Sequence, residues 1–118
     1  MEVAAITKDG ILRLTLKGRF DTFGAGAVQR ELDVHYPEHP RFIIMDLTGV
    51  DFISSAGIRV LLITLKEVQA RKGVLALVGL QAYCRDVIQS VHLADILRQF
   101  DAVDQAEAFC KEAYTIMD

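Results

Sequence analysis

The sequence has 118 residues, 52% hydrophobic and 25% charged, with 13 basic and 16 acidic side chains and a formal net charge of −3. That length suits one domain, residues 1–118, with one buried core, and the balance is too apolar for a disordered chain. A pI near 5.5 offers no basic face to displace counterions from a nucleic acid. No apolar run approaches the ~20 residues of a bilayer span, and Met1-Glu2-Val3 does not open like a signal peptide. A cytoplasmic domain is expected, with no nucleic-acid partner and no direct membrane insertion.

In chain order, Val3 to Ile6 is a short apolar stretch, Asp9-Gly10 is a hairpin-type turn, and Ile11, Leu12, Leu14 and Leu16 form a strand ending at Gly18. These two strands should pair antiparallel. Asp21 or Thr22 can cap a helix that runs to about Tyr36, where the Pro37-to-Pro40 segment stops it. Phe42-Ile43-Ile44-Met45 reads as a strand buried on both faces, followed by a loop from Asp46 to Ile53. A second helix is expected from about Ser55 to Lys72, stopped by Gly73. Val74 to Val78 is another two-faced strand. A helix over about Gln81 to Val91, a short strand near Ile96 to Phe100 and a closing helix from about Asp104 complete the chain. The order β-β-α-β-α-β-α-β-α predicts an α/β fold: a single mixed sheet with helices packed against it.

On the second helix, Ile58, Leu61, Leu62, Leu65 and Val68 share one face at helical spacing and should pack on the sheet. Ala56, Val60 and Ile63, flanked by Arg59 and Glu67, fall on the other side, either as scattered surface residues or as a contact face for another protein. On the second alternative, Val60→Asp is expected to leave stability nearly unchanged.

Few constellations here carry chemistry. Gly24-Ala25-Gly26 lacks the third glycine of a dinucleotide-binding turn, since Gln29 stands there. Asp46 ends a buried strand, as the phosphate acceptor of a response-regulator receiver does, but the acidic pair and the late lysine of such a site are missing. Cys84, Cys110, His35, His39 and His92 make no ligand set, so no metal and no cofactor are implied. No nucleophile–base arrangement is present, and the chain is read as a non-enzyme. Ser54-Ser55 remain, at the start of the second helix. A serine there can cap the free N–H groups, or accept a phosphate where unpaired donors and the helix dipole favour an anion.

The run from Phe42 to Leu62, Phe-Ile-Ile-Met-Asp-Leu-Thr-Gly-Val-Asp-Phe-Ile-Ser-Ser-Ala-Gly-Ile-Arg-Val-Leu-Leu, resembles the STAS family, the domain of anti-sigma factor antagonists. Leu16 to Asp21 is similar to the family's second strand and following turn, with Gly18 and Asp21 as weaker matches. The resemblance implies partner switching. The unphosphorylated antagonist would bind an anti-sigma factor that is itself a serine kinase, phosphorylation would release it, and a serine phosphatase would reset it. By position the acceptor is Ser55, two residues before Gly57. Ser54 stands where many members have aspartate and is the secondary acceptor. Asp21, Asp46 and Asp51 are then expected to line the loops beside the acceptor, and Ala56, Arg59, Val60, Ile63 and Glu67 to form the partner face. The family also includes subunits of membrane transport complexes for lipids and stress-signalling scaffolds, so a role without a phosphoswitch stays open. A homodimer is compatible with the sequence.

Overall fold

The two apolar runs on either side of Asp9-Gly10 form an antiparallel hairpin in the computed structural model, which describes residues 1–117. β1 (Glu2–Lys8) pairs with β2 (Ile11–Phe20), and the turn places Asp9 and Gly10 at φ 55° and 77°. Positive φ at both central positions matches the right-handed twist of the strands, and Asp-Gly meets that demand at low cost.

Three further strands join in parallel: β3 (Phe42–Ile53), β4 (Val74–Val78) and β5 (Arg98–Phe100), in the order β1-β2-β3-β4-β5. Each parallel step needs a crossover, and helices supply them: α1 (Thr22–His35) between β2 and β3, α2 (Ser55–Ala70) between β3 and β4, α3 (Ala82–Ser90) between β4 and β5. α4 (Val103–Met117) follows β5. Alternation along β2 and β3 divides the interior. Leu12, Leu14, Ile43 and Met45 join the residues of α1, α2 and α3 in the larger core. Ile11, Phe42 and Ile44 face Ala106 and Cys110 of α4 in a smaller one. Both cysteines are free and buried; burial pushes the Cys110 thiol up to about 11, so it serves as a small apolar side chain.

Two expectations need correction. The segment from Asp46 to Ile53 is the second half of β3 rather than a loop. It pairs with β2 from Lys17↔Gly49 to Phe20↔Ile53, beyond the end of β4, whose last partner is Val78↔Asp46. Register shifts between Thr15 and Lys17 and between Gly18 and Arg19 break the alternation that would have revealed a strand.

The second correction concerns Val60, which is buried at 6% exposure rather than outward-facing. α2 packs against α1 as well as the sheet, so it buries a wide arc: Gly57, Ile58, Val60, Leu61, Thr64, Leu65 and Val68. Thr64 is the polar member of that arc, and its hydroxyl donates to the Val60 carbonyl at 2.7 Å, which satisfies it locally. A threonine inside the buried face hid the face's true width.

Val60→Asp would leave an unpaired carboxylate in the core, and is expected to destabilise the domain by roughly 4 kcal/mol or more. Urea unfolding measures this directly. A change near zero would mean that the α1–α2 contact is absent in solution.

Candidate functional site

α1 and α2 begin at the same place, the projecting end of the β2–β3 ribbon, and in the same way. Each has a capping side chain three residues before a glycine. The Asp21 carboxylate accepts from the Gly24 N–H at 2.9 Å, and the Ser54 hydroxyl oxygen accepts from the Gly57 N–H at 3.5 Å. The glycines are required by contact with backbone. A Cβ on Gly57 would lie 2.6 Å from the Phe20 carbonyl oxygen, and one on Gly24 would overlap the Arg19 carbonyl. The near-match to a dinucleotide motif at Gly24 therefore has a packing reason.

Ser54 is anchored on β2: its N–H and its hydroxyl both donate to the Phe20 carbonyl, at 3.0 and 3.3 Å. Ser55, the first residue of α2, is exposed, and its hydroxyl makes no hydrogen bond among the described residues. The two adjacent serines thus have different tasks: one holds the helix to the sheet, and the other stands free in solvent at the positive end of the helix dipole. The first turn of α2 contains no acidic side chain.

Of the acids expected around the serines, Asp21 and Asp51 belong to this end of the sheet. Asp21 is held below the usual carboxylate range by the Gly24 N–H, with the Arg19 guanidinium adding to it. Asp51 lies on β3 close enough to α3 for its charge to reinforce the effect of burial in raising the Cys84 thiol. Asp46 is elsewhere. It sits eight residues before Ser54 on β3, on the order of 20 Å along a strand, and its carboxylate accepts from the N–H and hydroxyl of Thr48 at 3.0 and 2.7 Å.

On the helix face, Arg59 is exposed, Ile63 is 37% exposed, and Ala56 is half-buried. Glu67 is taken up at the far end of α2 by Arg71, whose guanidinium lies 3.3 Å from its carboxylate. Sequence spacing also missed an aromatic ledge at this end of the ribbon. The Arg19 guanidinium lies 4.1 Å over the Phe52 ring, and Phe52 stacks on Tyr83 at 5.8 Å. Phe23, two residues after the Asp21 cap, is 87% exposed. The ledge draws on β2, β3 and α3, so no local pattern announces it. Phe23 carried a signal, being a large aromatic between a cap and a glycine at a helix start.

Residues 2–106 match the family model described as the STAS domain. A protein of Bordetella bronchiseptica named as an anti-sigma factor antagonist, BtrV, is 31% identical over 100 residues, covering 85% of this chain and 84% of that protein. A Thermotoga maritima protein described as an anti-sigma factor antagonist superposes with a TM-score of 0.86 at 19% identity, covering 92% of this chain and 94% of its own. The Bacillus cell fate determinant SpoIIAA, solved in a phosphorylated form, superposes with a TM-score of 0.72 at 16% identity, covering 91% and 97%. These last two likenesses establish the fold.

The unequal roles of the serines can be tested by unfolding. Ser54→Ala is expected to cost about 1 kcal/mol through the lost cap, whereas Ser55→Ala should fall within about 0.5 kcal/mol of wild type, as surface changes do. Equal losses in urea melts would refute the division. For Asp21, a depressed carboxylate pKa adds stability above its unfolded value of about 3.8 and loses it as pH falls through the folded value. Asp21→Asn keeps a good cap, so it should be less stable than wild type at pH 7, with the gap closing in melts at about pH 3.

Proposed function

The chain belongs to the STAS domain family, and on that premise we propose that it is an anti-sigma factor antagonist working by partner switching. The unphosphorylated domain binds an anti-sigma factor that is also a serine kinase and so frees the sigma factor. Phosphorylation of Ser55 ends that binding, and a serine phosphatase restores it. The chain is a binding module and kinase substrate in the cytoplasm, and its reactions are catalysed by its partners. The BtrV relative, named as an antagonist, supports this reading.

The observation that carries it is the contrast between the two serines. A phosphate on Ser54 would have to displace the hydroxyl that grips the Phe20 carbonyl, disturbing the joint between α2 and β2. A phosphate on Ser55 meets solvent on one side and the first-turn N–H groups on the other. It adds about −1.5 to −2 charges at neutral pH to the surface bearing Ala56, Arg59 and Ile63, without touching the core. Binding is lost while the fold persists. A switch that must be reset many times needs that separation.

Intact-mass analysis of the protein from its native host, with fragmentation across residues 51–62, should find one phosphate, on Ser55. Ser55→Asp should keep the wild-type melting temperature and fail to co-purify with the kinase that wild type captures. An unmodified protein under all growth conditions, co-purifying with a membrane ATPase, would instead assign the domain to a transport complex.

A further inference from the structure

The outward face of α2 is cationic on a chain of net charge −3. At 100° per residue, Ser55, Arg59, Ile63 and Lys66 point away from the buried arc, and Arg59 and Lys66 are both exposed. Glu67, the acid nearest them in sequence, is held by Arg71. Arg59 makes no hydrogen bond, ion pair or ring contact among the described residues. The other charges at this end of the sheet are engaged or of the wrong sign. Arg19 lies over Phe52 and 3.9 Å from Asp21, Arg85 donates to the Leu80 carbonyl, and Asp51 is an anion.

We infer that Arg59 is the internal counter-ion of phosphorylated Ser55, so that modification removes an unengaged cation from the surface beside the serine. This rests on Ser55 being the acceptor. The two residues are four apart, the spacing at which helix side chains meet, and an anion N-terminal to its cation is the favourable order. Helix side chains lean back toward the N-terminus, so the patch an arginine covers lies over the preceding turn, which here contains Ser55 and Ala56. The guanidinium fork can engage two phosphate oxygens. The N–H groups of Ser55 and Ala56 have no acceptor among the described residues, and are available as further donors to the phosphate. The phosphate thereby does more than add negative charge: it holds the guanidinium in an intramolecular pair and takes it from any carboxylate a partner presents.

The test installs phosphoserine at position 55 of the full chain by genetic code expansion and follows the ³¹P shift from about pH 4 to 8. An unpaired phosphoserine has its second ionisation near pH 6. In the wild-type background it should lie lower than in Arg59→Gln by about 0.15 to 0.4 of a pH unit. Arg59→Lys should recover part of the difference, and about 1 M salt should shrink it. Identical midpoints in wild type and Arg59→Gln overturn the pair, as does a shift that follows Lys66→Gln instead. Arg59 is exposed, and matching melts of the unphosphorylated variants verify that the fold is intact. Because the phosphate is installed without a kinase, identical midpoints sink the pair alone, whereas lack of phosphate in the native host sinks the assignment of Ser55.

Discussion

The end of β2 is the joint on which the domain depends. At Arg19 and Phe20 the backbone of one strand touches the first turns of two helices, and both contacts are so close that only glycine fits. Gly24 and Gly57 are therefore tied to the same few ångströms of main chain. Their caps, Asp21 and Ser54, each satisfy the amide of the glycine that makes the contact. The Phe20 carbonyl adds two bonds from Ser54. A helix start fixed by both packing and hydrogen bonds cannot rotate or slide without losing several interactions at once.

That rigidity gives Ser55 its setting. The residue belongs to the helix, so its position relative to the sheet is set by Ser54 and Gly57, yet its own hydroxyl carries none of the load. The same end of the β2–β3 ribbon carries groups of different chemistry: the aromatic ledge of Phe52 and Tyr83 and the exposed ring of Phe23, with Arg59 one turn along α2 from the serine. Rigid aromatics and an arginine are the residue types that dominate binding energy at protein interfaces. A single phosphate placed among them alters the charge of a preformed surface rather than the shape of the fold. On the proposed reading, such a change would switch the domain off and leave it intact for recovery.

The parallel part of the fold was legible because buried strands and amphipathic helices have periods that local sequence displays. The apolar run Val74 to Val78 marks the full extent of β4, and Asp9-Gly10 carries the chemistry of its hairpin turn. The second half of β3 was not legible, for a specific reason. Beyond Asp46 it extends past β4 as a two-stranded ribbon, so Thr48, Gly49 and Asp51 need no apolar partners from a neighbouring strand on that side, and two register shifts disturb the rest. Helical periodicity puts Val60 outward because it assumes that a helix has one neighbour, whereas α2 has the sheet and α1.

By itself, the sequence determined the α/β class, the order of elements and the serine pair at the head of α2, since these are properties of short segments and of a motif contiguous in the chain. Only the tertiary structure decided, among the described residues, which serine is engaged and which is free, that Asp46 lies far from them while Asp21 and Asp51 do not, and that Val60 is core while Arg59 stands without a partner. Each of those distinctions depends on what lies across a contact from the residue: the Phe20 carbonyl, the length of a strand, a second helix, or solvent. Contacts between segments distant in sequence leave no periodic trace in either one, so they can be read only once the chain is folded.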